Sequence, residues 1–350
     1  MTAVTVNRRI VLARLPEGTP CPADFAIEEL RSGMPAAGEV ALRTLWLSLD
    51  PYQRNWMAGG GRYGVTPAPG VTVIGRAVSE VLASADGRFK PGDLVLGETG
   101  WQTHPIVRGE VLERLDPAID PPSAALGILG SPGLTAWIGI HDILQPQPGE
   151  TVVVSAAVGA VGSVAGQLAR LRGARVVGIA GDPLKCHVAV GELGFDACVT
   201  RRDDDFPEQL SRACPDGVDA FFDNTGGSVA AAVYRLLRQD ARIALCGLVA
   251  EYGFTTPGPS LMPLLAAQAS LRAFSVRRHL ARMPEYRRQA IAWVGSGALR
   301  YREHVVDGIE QAPRAFIEML AGRTIGKALV RLHAPCGLAA TRPEHALAPA

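Results

Sequence analysis

Small residues fall at Ala157, Gly159 and Gly162 within the stretch "SAAVGAVGSVAGQLARLRGARVVGIAGDPLKC", residues 155–186. The spacing is that of the G-x-G-x-x-G fingerprint of dinucleotide sites, with alanine at its first position. Gly159 lets the backbone approach a pyrophosphate, and Gly162 lets the next helix pack close to the strand. The anion then sits at the helix N-terminus, where free N–H groups and the helix dipole favour negative charge. Gly159, Ala160, Val161 and Gly162 are therefore expected to hold a pyrophosphate. In such a unit the second strand ordinarily ends in an acid that binds the ribose 2′-hydroxyl of NAD. Here "GIAGD" puts Gly181 at that place, with Asp182 one residue later. Gly181 leaves room for a 2′-phosphate, and Lys185, one of three lysines in the chain, lies a helical turn further on. Arg201 and Arg202 follow the third strand. Lys and Arg suit a phosphate monoester, so the expected cofactor is NADPH. Two readings compete: a strand end one residue later would make Asp182 the ribose acceptor, and the two arginines could form a plain surface pair.

The reacting centre needs a group that meets developing charge. Tyr252 closes "IALCGLVAEY", read as a strand, at the carboxyl end of a parallel sheet, where ligands bind. A phenol is protonated at neutral pH. It can donate to an oxygen that becomes negative, most effectively in a dry site. The alternative for Tyr252 is an aromatic cap on a core. Other chemistries lack their residues. The seven histidines and six cysteines form no metal-like cluster, and neither type occurs between Cys21 and His104. Lys90, Lys185 and Lys327 have no tyrosine four residues before them, so the Tyr-x-x-x-Lys pair of short-chain dehydrogenases is absent. No G-x-S-x-G elbow occurs. What remains is hydride transfer without a metal, in which the protein orients the cofactor and stabilises charge.

A parallel sheet must position these groups. From Pro121 onward strands alternate with helices: "TVVVSAA", "ARVVGIAG", "ACVT", "VDAFFDN" and "ARIALCGL" are strands with helical stretches between them. That pattern implies an α/β, doubly wound parallel sheet with right-handed crossovers. The part before it is β-rich, with short runs such as "RRIVLARL" and "EVALRTLWLSL" punctuated by Gly and Pro. The segment "RYREHVVDGIEQAPRAFIEMLAGRTIGKALVRL" reads as strand, helix, strand, and returns to the β-rich part. The expected division is residues 1–121 with 300–337 as a β-rich domain, 122–299 as a Rossmann domain, and 338–350 as an Ala/Pro-rich tail of little order. The run "AGGGRYG" reads as a loop over the site or a surface turn, and Trp56, Met57 and Tyr63 as pocket lining or core.

A chain of 350 residues corresponds to about two domains. A formal net charge of +1 argues against a nucleic-acid partner. The cysteines have no C-x-x-C spacing, which suits a reducing cytoplasm. The N-terminus lacks a signal pattern, and the apolar stretch "AALGILGSPGLTAWIGI" is broken and too short to span a bilayer.

Several segments, in order from about Asn7 to Leu332, resemble one family: "LWLSLDPYQRNWM", "LGSPGLTAWIGI", the fingerprint region, "CPDGVDAFFDNTGG", "ARIALCGLVAEYG" and "GKALVRL". They are similar to the zinc-independent medium-chain reductases of the leukotriene B4 dehydrogenase, prostaglandin reductase and double-bond reductase group, which includes curcumin-reductase-like enzymes. The resemblance implies a Rossmann domain beside a GroES-like catalytic domain. It implies a homodimer and NADPH-dependent reduction of the C=C bond of α,β-unsaturated ketones or aldehydes. It matches Lys185 to the lysine at the 2′-phosphate, and Asn224 to the asparagine of "ENVGG". Cys246 and Gly247, in residues 246–252, match the nicotinamide segment, and Phe274 and Val276 of "AFSV" match the strand that meets its amide. Tyr252 matches the active-site tyrosine and Tyr52 of "DPY" a tyrosine facing the substrate; Tyr52 otherwise marks a structural turn, with Arg54 pairing to an acid. Arg201 replaces a family tyrosine and Thr324 a family asparagine at the cofactor, and Arg277-Arg278-His279 is more basic than the family pattern. Two alternatives stand beside enone reduction: a quinone reductase of the zeta-crystallin type, and an NADPH-binding protein without turnover.

Overall fold

In the computed structural model the described residues are 5–59, 66–252 and 258–333. All but Gly59 of the expected loop between Gly59 and Gly64, Tyr63 included, lies outside them, as do Cys336 and the tail. Contacts divide the chain into residues 1–126 with 303–350, and residues 127–302.

The second unit is a six-stranded sheet with every neighbouring pair parallel. Its strands are β8 (Thr151–Ser155), β9 (Arg175–Ala180), β10 (Ala197–Thr200), β11 (Val218–Asp223), β12 (Leu237–Leu245) and β13 (Ser270–Ala273). Their spatial order is β10-β9-β8-β11-β12-β13, the doubly wound order of a dinucleotide fold. The helices α2 (Ser131–Ile138), α3 (Gly162–Leu171), α4 (Pro183–Gly191), α5 (Phe206–Ala213), α6 (Gly227–Tyr234), α7 (Met262–Ala266) and α8 (Met283–Gly295) complete it. The β-branched run of β8 is buried along its whole length, as a central strand covered on both faces requires. The acid run 203–205 leads into α5, where Asp205 accepts bonds from Gln209 and Arg212. The order reverses between β8 and β11, so a crevice opens beyond their carboxyl ends.

The first unit pairs β1 (Thr5–Leu12) with β2 (Phe25–Ser32) and carries a seven-stranded sheet. That sheet contains β3 (Glu39–Ser48), β4 (Arg76–Ser84), β5 (Leu94–Glu98), β6 (Ile106–Arg108), β7 (Leu112–Arg114), β14 (Glu303–Asp307) and β15 (Lys327–Arg331). The helices are α1 (Tyr52–Met57) and α9 (Ala312–Leu320). The expected strand-helix-strand end of the chain is β14-α9-β15. The ring of Trp101 stacks on Phe25 at 6.0 Å and meets Phe316 edge-on at 5.5 Å. Trp56 and Met57 pack into the same core. Arg54 donates to the carbonyls of Gly18 and Pro16; among the described residues no acid accepts a bond from it, and Asp24 acts on it through charge alone.

A buried polar network fixes the start of α1. Lys327 Nζ donates to Leu49 O and to Asp50 Oδ1, both at 2.6 Å. Ser48 donates to the other oxygen of Asp50, and the Asp50 N–H donates to Gln53 Oε1 at 2.9 Å. Across the ladder Lys327 faces Glu303. Glu303 accepts from Ser123 Oγ at 2.9 Å, while its Oε1 is buried without a partner among the described residues. Burial pushes the Glu303 carboxyl up to about 7 from an ordinary 4.5, against the opposing effects of Ser123 and Lys327. A folded value above the unfolded one means stability is full below the unfolded value and is lost as pH rises through 7. Glu303→Gln should therefore flatten the fall in stability between about pH 5 and pH 8. Urea unfolding across that range checks it; parallel curves for the two proteins would contradict it.

Candidate functional site

The fingerprint turn begins where β8 ends. Ala156 has a left-handed backbone, φ 50°. The Ala157 N–H returns to Ile179 O of β9 at 3.0 Å, and the Gly159 N–H donates to Ala156 O at 2.9 Å. Ala160 and Val161, both half-buried, lead into α3, which opens at Gly162. A Cβ on Gly162 would stand 2.3 Å from Ala156 O, so no other residue allows the helix to start this close to the strand. The first N–H groups of a helix have no acceptor within it. Here the Ser163 N–H donates to Gly159 O and the Ala165 N–H to Val161 O; the start of α3, beside the reversal of strand order, is a place that fits a pyrophosphate.

The ends of β9 and β10 carry cations. β9 ends at Ala180, so Gly181, which is buried, directly follows the strand. Asp182 is the N-cap of α4: its Oδ1 accepts the Lys185 N–H at 3.0 Å. The acid that competed for the ribose is thus engaged at its own helix. Lys185 is buried. Burial draws its ammonium below the ordinary lysine range; Asp182 opposes this, and Arg202 and Arg201 add to it by repulsion. Arg201 is exposed, and its N–H donates to Ala180 O at 2.9 Å, which brings the end of β10 to the end of β9. Cations that repel one another are relieved by a phosphate dianion.

The other side is organised by two residues absent from the expected set, Ser155 and Asp223. Each is the last residue of a central strand, and each is fully buried. Asp223 Oδ1 accepts from Ser155 Oγ at 3.1 Å, the Thr225 N–H at 2.9 Å and the Gly226 N–H at 3.0 Å. Its Oδ2 is buried with no partner among the described residues. Burial raises the Asp223 carboxyl above the usual range, against these hydrogen bonds. Asn224 donates its N–H to Ser155 Oγ and its Nδ2 to Ser155 O, both at 2.8 Å. The carbonyl of Asp223 accepts from the N–H groups of Cys246 and Gly247, at 2.8 and 3.3 Å. The sequence signal for both residues is a polar side chain closing an apolar strand, in "TVVVS" and "VDAFFD".

These bonds end β12 at Leu245. Tyr252 consequently lies in a turn rather than at a strand end, a correction to the expected strand "IALCGLVAEY". Tyr252 is half-buried, and its hydroxyl lies 3.5 Å from the place a Cβ on Gly247 would take. Asn224 O is 3.2 Å from the same place. Phe274 follows the end of β13; its N–H donates to Leu245 O at 3.2 Å, and its ring meets Phe222 edge-on at 6.3 Å. Val276 begins a 3-10 helix, Val276–Arg282, which contains Arg277, Arg278 and His279. "AFSV" thus lies mostly past the strand it was matched to.

Gly159, Ala160, Val161, Gly162, Gly181, Lys185, Arg201, Asn224, Cys246, Gly247, Tyr252, Phe274 and Val276 all follow the carboxyl ends of this one sheet. Tyr52 and Thr324 belong to the first unit. Tyr52 opens α1 and donates to Glu98 Oε1 at 3.0 Å; Thr324 is half-buried just before β15. Among the described residues no three or more His, Cys, Asp or Glu are placed to hold a metal ion.

The cationic side predicts discrimination by phosphate. Lys185→Ala should weaken binding of a 2′-phosphorylated dinucleotide about tenfold to a hundredfold, as loss of a charged hydrogen bond does. Binding of the unphosphorylated dinucleotide should change little. Fluorescence titration with both checks it; equal losses would contradict it.

Comparison with known proteins agrees with both units. Residues 8–115 match the family described as "N-terminal domain of oxidoreductase", and residues 160–295 the family described as "Zinc-binding dehydrogenase". The chain is 44% identical to the NADPH-dependent curcumin reductase of Escherichia coli (strain K12), over 93% of this chain and 97% of that one. It is 35% identical to the 2-alkenal reductase (NADP(+)-dependent) of Nicotiana tabacum, over 93% and 97%. The crystal structure of CurA in complex with NADPH from Vibrio vulnificus superposes with a TM-score of 0.89 at 42% identity, covering 94% of this chain and all of that one (100%).

Proposed function

The chain belongs to the zinc-independent double-bond reductases of the medium-chain dehydrogenase/reductase family, and from this we propose that it reduces the C=C bond of α,β-unsaturated ketones and aldehydes. It is an NADPH-dependent reductase of the curcumin and alkenal reductase type. The turn Gly159-Ala160-Val161-Gly162 holds the pyrophosphate, and Lys185 with Arg201 beside Gly181 holds the 2′-phosphate. Asn224, Cys246, Gly247, Phe274 and Val276 frame the nicotinamide. When bound, NADPH supplies a hydride to the β-carbon of the substrate.

The observation that carries the mechanism is the Tyr252 hydroxyl set against Gly247. That glycine presents no side chain, so the phenol stands beside the backbone of the segment assigned to the nicotinamide. Tyr252 donates to the carbonyl oxygen as enolate charge builds there. A donor already in place costs no reorganisation at the moment of reaction. The α-carbon then takes a solvent-exchangeable proton. Tyr52 is assigned to the substrate by its family match alone, and within the first unit its phenol donates to Glu98. We assign the enzyme to the cytoplasm on its cysteine spacing.

A homodimer belongs to the same reading. β13 is the sheet edge and all four of its residues are exposed. Leu261, Met262 and Leu265 beside it are 65%, 67% and 72% exposed. An unpaired edge flanked by apolar side chains invites a second copy. Leu265→Lys should shift the protein toward monomer in sedimentation; an unchanged mass would contradict this face as the interface.

NADPH oxidation against a panel of enones, enals and quinones tests the reaction. Enones and enals should be turned over, and Tyr252→Phe should lower kcat about a hundredfold, the loss typical of one oxyanion donor. Preferred turnover of quinones, or NADPH binding without turnover of anything on the panel, would overturn it.

A further inference from the structure

We propose that Glu251 is a positioning residue for Tyr252: its carboxylate clamps the turn that carries the phenol to the first residue of α6. The inference rests on Tyr252 being the donor to the enolate oxygen. The clamp lies within the second unit, between the turn after β11 and the turn after β12.

Residues 246–250 run beside residues 223–225 and are stitched to them through the main chain. Cys246 and Gly247 donate to Asp223 O, the Val249 N–H donates to Asn224 O at 3.4 Å, and the Ala250 N–H donates to Thr225 O at 3.0 Å. The Glu251 N–H then closes a tight turn on Leu248 O at 2.8 Å. At Glu251 the tie passes to a side chain: the Gly227 N–H donates to Glu251 Oε1 at 3.2 Å. Gly227 opens α6, and Gly226 at the N-cap has no side chain with which to cap it. Glu251 thus supplies from a neighbouring turn the acceptor that Ser or Asp would supply locally. Its carboxylate also meets the positive end of the helix dipole.

Gly226 makes the room for this contact. Its φ is 68°, a left-handed backbone that glycine adopts without cost. A Cβ there would stand 2.6 Å from Leu248 Cδ2 and 2.8 Å from Glu251 Oε1. The turn 223–227 is therefore gripped from two sides. Buried Asp223 takes the Thr225 and Gly226 N–H groups, and half-buried Glu251 takes that of Gly227.

Tyr252 follows Glu251 directly. Its hydroxyl returns to 3.5 Å from the Cβ position of Gly247, near the start of the same turn. The place of the phenol is thus set by how the turn closes, and Glu251 holds its closing end. Loss of the carboxylate leaves the main-chain bonds at the start of the turn, so the segment assigned to the nicotinamide stays while the donor shifts. Glu251 acts through Tyr252 and moves no proton itself.

Single-turnover oxidation of NADPH by trans-2-hexenal, followed by stopped-flow absorbance on the full chain, tests this. Glu251→Ala should slow the hydride step about tenfold, as a small misplacement of an aligned group does. The Kd for NADPH should stay within about twofold, because the residues assigned to its phosphates are untouched. Glu251→Gln keeps an oxygen at the same reach and should restore most of the rate. On a Tyr252→Phe background Glu251→Ala should cost nothing further, since its effect passes through the phenol. A Glu251→Ala enzyme with the full rate would overturn the proposal, as would a loss that recurs in full on Tyr252→Phe. If Tyr252→Phe alone keeps the full rate, the tyrosine assignment fails and this proposal falls with it; that single variant keeps the two failures apart.

Discussion

The carboxylate of Asp223 is the point on which the nucleotide unit turns. Where β8 and β11 part, two central strands end inside the protein and leave polar main-chain groups that water cannot reach. Such groups are costly unless bonded. Asp223 and Ser155 satisfy them locally: one carboxylate oxygen takes the Thr225 and Gly226 N–H groups as well as the Ser155 hydroxyl, and the Asp223 carbonyl takes two more N–H groups from the segment after β12. The same bonds that close the sheet therefore fix Asn224, Cys246 and Gly247, the backbone beside which Tyr252 stands. The burial of an acid with one oxygen unbonded within the described chain carries an energetic penalty, and the return is a rigid rim around the crevice.

The opposite side of the sheet uses charge rather than hydrogen-bond closure. Gly181 leaves space, Asp182 caps its own helix, and Lys185 is buried near two arginines. The two arginines repel the Lys185 ammonium and Asp182 attracts it. In the proposed function, discrimination between the two nicotinamide dinucleotides and closure of the site thus fall to separate elements, α4 with β10 on one side and the ends of β11 and β12 on the other.

Much of this was legible in the sequence, for physical reasons. β8 and β9 are continuous apolar runs, and a parallel sheet buried on both faces demands such runs. Glycine spacing fixed the turn, since Gly162 admits no Cβ. The end of β12 was not legible, because it is set by a carbonyl from a neighbouring strand and not by local residue types. Asp223 read as one residue of the strand "VDAFFDN"; its role is visible only once Ser155, 68 residues away in sequence, stands beside it. Trp56 and Met57 could not be sorted between core and pocket by residue type, and Phe25, Trp101 and Phe316 decide for the core.

The central claim is hydride delivery to carbon rather than to a carbonyl. The most direct measurement is turnover of an enone with NADPH deuterated at the transferring C4 position, followed by NMR of the product. The account predicts deuterium at the β-carbon, solvent hydrogen at the α-carbon and an intact carbonyl. Deuterium on the carbinol carbon of an allylic alcohol, or a saturated ketone without label, would contradict it.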